Sequence, residues 1–375
     1  MSSYTRYKIQ DTRYNAFTLL ELLIVIAITA ALSAVSVGFY VNQQKAKILE
    51  NTAQEIANYL RYAQQKSMAQ EQSLQWGVHF DNPTSGDDFY ALYTGTTYST
   101  PIETKYLPTG IVFTTPATGN SVNVSFNKLT GTNYSGAEQE LIIRLTSNQV
   151  ARVIRTMSNG LVVISEGEKG YWKFDEGSGT TAYDSTIYKN NGTLTNGPTW
   201  QSASNCVSGS CLSFDGSSNY VDCGNATSLN VTTVFTYEAW VKRLGGFGSI
   251  QNIIAKNSLG SNINSAPTWY FDANNKVSFV VQGVALIGGG NTAITDTAWH
   301  HLVITRDSAN NWKWYLDGNS DGLVVSSYTP TSNNGNLYIA TGFGGYYFNG
   351  LIDEVRIYNR ALSPAEILQH YNSRS

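Results

Sequence analysis

Residues 312–319 read Trp-Lys-Trp-Tyr-Leu-Asp-Gly-Asn (WKWYLDGN), and this short stretch indicates the fold of the C-terminal half of the chain. Successive side chains of a β-strand point to opposite faces, so Trp312 and Trp314 share one face and Lys313 and Tyr315 share the other. Asp-Gly is a strong signal for a tight turn between antiparallel strands. The stretch therefore predicts a strand that carries large aromatic side chains into a core and then turns back.

Similar strings recur from Gly170 to Ser375, separated by Asn-Gly, Asp-Gly and Gly-Gly turns. They include CLSFDG, NYVDCG, TYEAWVKR, NIIAK, TWYFD, KVSFVVQ, HHLVITRD, NLYIA and LIDEVRIYN. Many short strands at regular spacing predict an antiparallel β-sandwich over residues 170–375.

Several of these strings together resemble the laminin-G-like, concanavalin A-like jelly roll of bacterial surface proteins. They are WKFDEGSGTTAYDST (172–186), LSFDGSSNYV (212–221), AWHHLVITRD (298–307), WYLDGN (314–319) and GLIDEVRIYNRALSPAEI (350–367). The resemblance covers nearly all of residues 170–375 and implies the fold of this part, while the function has to be argued from its sites.

The N-terminal part of the chain carries a long apolar stretch. The 25 residues from Phe17 to Val41 (FTLLELLIVIAITAALSAVSVGFYV) contain one ionisable group, Glu21. At about 1.5 Å of rise per residue, a helix of this length spans the roughly 30 Å hydrocarbon layer of a bilayer. The apolar part of a cleaved secretory peptide is shorter, so the stretch predicts a membrane-spanning helix over residues 17–41. A carboxylate in lipid is costly, so Glu21 either has a partner or lies at the membrane interface.

The string from Ala16 to Val41, with a polar leader ahead of it, resembles the signal of type IV pilins and pseudopilins. The resemblance implies that a prepilin peptidase removes residues 1–16 by cutting after Ala16, and that Phe17 becomes the N-methylated end. Glu21 would then pair with the amino group of Phe17 on a neighbouring pilin subunit. The family usually has Gly where this chain has Ala16. The precursor would lie in the inner membrane, and the mature chain would join a filament outside the cytoplasm.

The helical pattern continues past the apolar stretch to about Gln70. Its stripe recurs at three- and four-residue spacing and comprises Ile48, Thr52, Ile56, Tyr59, Leu60, Ala63 and Ser67. From Leu74, strand-like strings such as LQWGVHF, FYALYTG and ELIIRLT follow. The pattern predicts a helix with a small antiparallel β domain over residues 42–169, similar to minor pseudopilins and minor pilins. The composition changes after SEGEKG (165–170), where we place the boundary to the sandwich.

The composition bears on partners and on cellular compartment. With 24 Lys and Arg against 27 Asp and Glu, the net charge of −3 offers no electrostatic footprint for nucleic acid. Charged residues make up only 14% of the chain and aromatic residues 12%, which is typical of an exported, β-rich protein. Cys206, Cys211 and Cys223 allow at most one disulfide. The intervening VSGS turn favours Cys206–Cys211, with Cys211–Cys223 as the alternative.

The sequence contains no string that indicates catalysis. Asp353 and Glu354 are adjacent and point to opposite faces of a strand, so they cannot form the paired carboxylates of a glycan hydrolase. We therefore expect a protein that is not an enzyme. The jelly-roll resemblance implies a calcium ion, Ca2+, with Asp175, Asp184 and Asp353 as candidate ligands. Alternatively, these carboxylates cap turns and close a strand.

Glycan binding needs aromatic side chains in a shallow groove. Trp269, Tyr270, Tyr346 and Tyr347 lie in or near the Gly/Ser/Asn-rich stretches NINSAPTWY and TGFGGYYFNG, and they are the candidate ligand contacts. Most other tryptophans lie in strand-like strings and are expected in the core.

These features predict an α+β pilin-like module, made of a long N-terminal helix and a small antiparallel β domain, followed by an all-β concanavalin A-like jelly-roll sandwich. The predicted function is that of a minor pilin or pseudopilin-like subunit that displays the sandwich for adhesion, or for capture of a carbohydrate or a surface protein. The alternative is a structural subunit or cap of a type II secretion or type IV pilus assembly, whose sandwich binds no specific ligand.

Overall fold

A computed structural model describes residues 19–147, 149–257, 266–281, 283 and 285–373. Helix α1 runs from Leu19 to Met68, and over residues 19–22 and 24–43 its backbone alone is described. The predicted leader and the processing residues Ala16 and Phe17 lie outside the described residues, as does the side chain of Glu21. Within the described part, no helix combines the length and the apolar character needed to cross a membrane. The membrane-spanning helix over 17–41 stays a prediction.

The second half of α1 packs against the strands that follow it. One side of this half is buried, and it comprises Leu49, Thr52, Ala53, Ile56, Ala57, Leu60, Ala63 and Ser67. These positions recur every three or four residues, as the amphipathic pattern predicts. Ile48 was expected on the buried stripe but is exposed, because the neighbouring Leu49 takes the position that faces the strands.

Eight strands after α1 form two four-stranded antiparallel sheets, with orders β3-β2-β1-β5 and β4-β6-β7-β8. Their bounds are β1 (Trp76–Asn82), β2 (Phe89–Thr94), β3 (Pro101–Tyr106), β4 (Ile111–Thr115), β5 (Asn120–Phe126), β6 (Gln139–Leu145), β7 (Ala151–Thr156) and β8 (Val162–Ser165). Inward side chains of both sheets share one apolar core with α1, among them Phe80, Val124 and Ile143. We refer to α1 and these strands as the small domain, and its pilin-like character stays a prediction.

The next sixteen strands form the sandwich. Their bounds are β9 (Glu168–Trp172), β10 (Thr181–Ala182), β11 (Gly192–Thr195), β12 (Thr199–Gln201), β13 (Cys211–Asp215), β14 (Tyr220–Asp222), β15 (Phe235–Arg243), β16 (Gln251–Asn257), β17 (Pro267–Phe271), β18 (Lys276–Val281), β19 (Ala285–Ala293), β20 (Trp299–Arg306), β21 (Asn311–Leu316), β22 (Asn319–Val325), β23 (Asn336–Ile339) and β24 (Asn349–Tyr358). One sheet has the order β10-β11-β14-β23-β16-β17-β18-β19. The other has the order β12-β13-β24-β15-β20-β21-β22, with β9 also paired to β24.

The two sheets of the sandwich enclose one apolar core. Trp312 and Trp314 point into it from β21. The rings of Phe235 and Phe279 pack against Trp312 with centroid distances of 5.4 and 5.1 Å. This alternation confirms the all-β sandwich predicted for the C-terminal part of the chain.

A short helix, α2 (Pro364–Asn372), covers the outer face of the second sheet. It begins with a capping box: the hydroxyl of Ser363 accepts a hydrogen bond from the backbone N–H of Glu366, and the Glu366 carboxylate accepts one from the N–H of Ser363. Leu362 and Ile367 pack on Val303, Tyr315 and Tyr358 from that sheet. The face of β21 opposite the tryptophans is therefore covered as well.

The carboxylate of Glu366 also joins the sandwich to the small domain. It forms two hydrogen bonds with the guanidinium of Arg360, at 2.8 and 2.9 Å, and it accepts a third, at 3.0 Å, from the backbone N–H of Ala151 in β7. Glu366 is only 3% exposed. A buried carboxylate is costly unless such donors surround it, so these contacts fix the sandwich against the small domain.

A second ionic cluster lies beside this contact. The ring of His370 is 3.0 Å from a carboxylate oxygen of Glu238 in β15 and 3.1 Å from one of Glu166, in the segment between β8 and β9. Burial lowers the pKa of His370, but the two carboxylates outweigh it and raise that pKa to about 10. For Glu166 the two effects have the opposite signs. Burial raises its pKa, but the nearby His370 outweighs burial and lowers the pKa to about 2. His370 is therefore charged over the physiological pH range.

Replacing His370 by Gln tests this cluster. Because the pKa of His370 rises from 6.5 to about 10 on folding, its contribution to stability is complete below pH 6.5 and is lost as the pH rises to 10. We expect the variant to be less stable than the wild type by about 2 kcal/mol or more at pH 6.5, and by much less at pH 10, in urea unfolding. Gln369→Ala, at an exposed position of the same helix, should keep the wild-type pH dependence. Equal destabilisation of His370→Gln at both pH values would contradict the assignment.

Candidate functional site

Aromatic side chains gather on the outer face of the sheet that contains β14, β23, β16 and β17. Val221, Leu337 and Ile339 point into the sandwich core. Because strand side chains alternate, Tyr220 and Tyr338 point outward. Asp222 of β14 lies opposite Tyr338 of β23 in the strand register, so these two residues are neighbours on this face.

Three of the tyrosines are in ring contact. The ring of Tyr220 meets that of Tyr338 edge to face, with a centroid distance of 5.7 Å and an interplanar angle of 83°. The ring of Tyr347, from the segment between β23 and β24, lies near the ring of Tyr220, with a centroid distance of 6.5 Å. Such edge and offset contacts are favourable geometries for aromatic pairs.

Tyr346 and Tyr270 extend this face toward β16 and β17. The backbone N–H of Asn252 donates a hydrogen bond to the carbonyl of Tyr346, with an N–O distance of 3.1 Å. Asn252 is the register partner of Tyr270. Burial and the charge of Asp272 raise the pKa of Tyr270, so its hydroxyl remains a neutral donor and acceptor at ordinary pH. We call Tyr220, Tyr270, Tyr338, Tyr346 and Tyr347 the tyrosine face.

A carboxylate and an amide lie beside these rings. The side-chain amide of Asn336 donates to both oxygens of Asp222, at 2.9 and 3.0 Å, and the backbone N–H of Gly224 donates to one of them at 2.9 Å. This arrangement fixes the Asp222 side chain beside Tyr338, which is buried, and Tyr220, which is half-buried. Aromatic surfaces with a few fixed polar groups are typical of sites that bind polar organic ligands.

The structure separates the four predicted ligand contacts. Tyr270, Tyr346 and Tyr347 lie on the tyrosine face, and Tyr346 is 44% exposed. Trp269 was wrongly placed with them: it is fully buried in the sandwich core, near the ring of Tyr237. It precedes Tyr270 on β17, so the two side chains point to opposite faces. The prediction omitted Tyr220 and Tyr338. Tyr220 precedes the core residue Val221, and Tyr338 lies between two core residues of β23, so strand alternation places both tyrosines on the outer face.

The segment that carries Tyr346 and Tyr347 passes close over the sheet at Gly342. A Cβ atom at this position would lie 2.5 Å from the Cβ of Ala255 and 3.0 Å from the amide nitrogen of Asn252. Both distances are shorter than ordinary van der Waals contact. The absence of a side chain at Gly342 therefore allows the two tyrosines to approach the sheet.

The concanavalin A-like lectin/glucanases superfamily matches residues 215–368. Over these residues the sandwich is similar to concanavalin A-like domains. At the other end of the chain, the prokaryotic N-terminal methylation motif matches residues 11–37. Both resemblances inferred from the sequence are thus confirmed. A comparison with curated proteins finds no match.

Solved structures similar to this chain include one domain of an arabinanase and the binding domains of two toxins. Domain 4 of the extracellular arabinanase AbnA from Geobacillus stearothermophilus, in complex with arabinotriose, is 19% identical over 54% of this chain and 97% of that chain, with a TM-score of 0.45. The binding domain of Paraclostridial Mosquitocidal Protein 1 is 14% identical over 56% of this chain, with a TM-score of 0.43. The botulinum neurotoxin serotype D binding domain is 13% identical over 55%, with a TM-score of 0.41. The match spans 52% and 50% of these two toxin chains.

One candidate calcium ligand of the concanavalin A-like domain, Asp184, holds a turn together. It is 1% exposed. One of its oxygens accepts hydrogen bonds from the N–H groups of Tyr171 and Thr186, and the other accepts from the Thr186 hydroxyl and the N–H of Asn190, all at 2.8 to 3.0 Å. Its oxygens are thus already engaged by donors of the chain.

The other two candidates, Asp353 and Asp175, hold the loop that the Cys206–Cys211 disulfide closes. A carboxylate oxygen of Asp353 accepts from the N–H groups of Val207 and Ser208, at 3.0 and 3.2 Å, and Asp175 accepts from Ser210 at 3.2 Å. Burial raises the pKa of Asp353 to about 7, against the opposing effect of these N–H donors. Cys223, the third cysteine, is buried and free.

The structure does not bring the three aspartates together in one cluster. Among residues 19–147, 149–257, 266–281, 283 and 285–373, no group of three or more His, Cys, Asp or Glu side chains is placed to hold a metal ion. Their hydrogen bonds instead match the alternative reading, in which they cap turns and anchor a loop. Calcium binding by this domain stays a prediction.

Substitution of Gly342 by Ala tests how the tyrosine face is built. The added Cβ would displace the segment that carries Tyr346 and break its hydrogen bond with the N–H of Asn252. We expect the amide of Asn252 to exchange about fivefold to tenfold faster in hydrogen-exchange mass spectrometry, since the net value of one hydrogen bond is about 1 kcal/mol. Ser332→Ala, at an exposed position of the connection between β22 and β23, should exchange at Asn252 as the wild type does. Unchanged exchange in Gly342→Ala would contradict the close-approach argument.

Proposed function

We propose that this chain is a pilin-like filament subunit whose concanavalin A-like domain binds a saccharide through the tyrosine face. The observation that carries the proposal is the tyrosine face, on which Tyr220 is in ring contact with Tyr338 and Tyr347 and Tyr338 lies beside the fixed carboxylate of Asp222. Aromatic rings stack on the apolar faces of sugar rings, and carboxylate and amide groups bond sugar hydroxyls. The methylation motif at residues 11–37 supports the filament part of the proposal.

The position of the tyrosine face favours a role in display. Helix α2 and the contacts of Glu366 and His370 lie on the sheet that contains β24 and β15. The tyrosine face lies on the outer side of the other sheet, so it is directed away from these contacts with the small domain. A ligand could reach it while the small domain is packed among filament subunits.

The proposal extends to processing and location. A prepilin peptidase would cut after Ala16, other pilin subunits would be the assembly partners, and the inner membrane would hold the precursor. In the filament, Glu21 would pair with the amino group of Phe17 of a neighbour, because the pair offsets the cost of a buried carboxylate. We propose a binding role and not a catalytic one. The bulk of the sandwich favours a rare or terminal subunit.

Mass spectrometry of filaments sheared from cells tests the assembly part. We expect an N-terminal peptide that begins with N-methylated Phe17, and filaments that contain the concanavalin A-like domain. Glu21→Ala should abolish incorporation into filaments, because the amino group of Phe17 loses its partner, while Glu103→Ala, at an exposed position of the small domain, should not. An intact leader on protein found only in membranes would refute the filament proposal.

A glycan array followed by calorimetry tests the binding part. For each saccharide that binds, we expect Tyr220→Ala and Tyr346→Ala to weaken binding by about tenfold, a typical loss for a buried aromatic contact. Tyr328→Ala removes an exposed tyrosine elsewhere on the domain and should have no effect. Parallel runs with calcium and with a chelator test the calcium prediction. Absence of any ligand, combined with loss of filaments on gene deletion, would instead favour the structural subunit or cap.

A further inference from the structure

A cleft of about 660 Å³ lies between the small domain and the sandwich. One wall is the outer face of β6, where Glu140, Ile142 and Arg144 alternate with core residues. The other wall comes from β20 and β21, with Thr305 and Lys313. The segment 359–364, which contains Arg360, closes the bottom. The volume lies within the range of cavities that bind small ligands.

Arg144 is the unusual residue of this cleft. Its side chain is half-buried, and its Nε atom is buried without a hydrogen-bond partner among the described residues. No ion pair within 4 Å joins its guanidinium to a carboxylate in that part of the chain either. A buried donor left unpaired costs about 1 to 3 kcal/mol, and more when it is charged. An anion in the cleft would pair with the other N–H groups of this guanidinium and offset its uncompensated charge.

The carboxylates that line the cleft already have partners. Glu140 pairs with Arg155 at 2.8 Å, and the side-chain amide of Asn359 donates to it. Asp307 accepts hydrogen bonds from Asn311 and pairs with Lys313 at 3.4 Å. The positive charge of Arg144 is therefore the one that these neighbouring acids leave uncompensated within the cleft. An anion is the complementary ligand.

Hydroxyl groups make up much of the remaining lining. Thr115 and Thr114 lie at the end of β4, and Thr233, Thr305 and Ser308 face them from the sandwich. Hydroxyls both donate and accept hydrogen bonds, as sugar hydroxyls do. A guanidinium forms two parallel bonds with a carboxylate or sulfate group. The lining thus suits a sugar that carries one acidic group better than a peptide that carries several.

We propose that this interdomain cleft binds an acidic saccharide, with Arg144 bonded to its carboxylate or sulfate group and the threonine and serine hydroxyls bonded to its ring hydroxyls. The site is separate from the tyrosine face. It takes one wall from each domain, so it exists only while the contacts of Glu366 and Arg360 hold the domains together. It would let the chain recognise a charged sugar and a second saccharide at the same time.

Calorimetry on the full chain in detergent tests this site. The probes are trigalacturonate, a sulfated heparin disaccharide, neutral maltotriose and hexaglutamate. We expect trigalacturonate or the sulfated disaccharide to bind and maltotriose not to bind. The acidic sugar that binds more tightly shows whether the cleft prefers a carboxylate or a sulfate group. Arg144→Gln should weaken that binding about tenfold or more. Arg144→Lys keeps the positive charge but cannot form two parallel hydrogen bonds, so it should weaken binding less than Arg144→Gln does.

Two control variants separate this site from other effects. Lys173→Gln removes one exposed positive charge from a different part of the sandwich and should leave the affinity unchanged. Tyr346→Ala should also leave it unchanged, so a failure of the tyrosine face and a failure of this cleft are distinguishable. Thermal unfolding of Arg144→Gln and Arg144→Lys checks that both variants fold. Equal losses in Lys173→Gln and Arg144→Gln, tight binding of hexaglutamate, or no binding of either acidic sugar would overturn the proposal.

Discussion

The carboxylate of Glu366 is the contact on which the arrangement of this chain depends. It caps helix α2, pairs with Arg360 and accepts the backbone N–H of Ala151 from the small domain. Each role alone is ordinary, but one buried group performs all three. Because a buried carboxylate without its donors is costly, the helix cap, the bottom of the interdomain cleft and the domain orientation depend on one another. The cluster of His370, Glu166 and Glu238 adds a second set of charges that favours the same orientation.

The sequence predicted those features that depend on neighbours along the chain. Alternation over WKWYLDGN placed Trp312 and Trp314 in the core, and the buried stripe on α1 followed from helical spacing. The VSGS turn favoured the Cys206–Cys211 disulfide that the structure contains. The same local rule would have separated Trp269 from Tyr270, since adjacent strand residues cannot share a face. That error came from reading a Gly/Ser-rich flank as a surface loop when the residues lie in β17.

Features that depend on distant segments were not predictable in this way. Tyr220 and Tyr338 meet because β14 pairs with β23, and no local pattern shows that pairing. Arg144 gains its environment from the sandwich, whose position is set by the contacts of Glu366. The aspartates show the converse case: the DEGSG, YDST and IDEV strings indicated oxygen ligands for calcium, and in the structure each aspartate accepts at least one backbone N–H. A short acidic string specifies a hydrogen-bond acceptor, and tertiary structure decides what it accepts from.

The buried contact between the domains has a consequence for binding. The connection from β8 to β9 is only Glu166 and Gly167, and Glu166 is itself held by His370, so the sandwich cannot swing freely on a linker. A binding face on a domain that is held by such contacts avoids the entropy cost of ordering a flexible linker when a ligand binds. In the proposed filament, its reach would be limited to the filament surface, because no linker would extend it. Rigid presentation therefore suits a ligand displayed densely on a surface, where many subunits or several contacts on one subunit bind together and raise the overall affinity. A tyrosine face directed outward and an acidic-sugar cleft at the domain contact would provide two such contacts within a single rigid subunit.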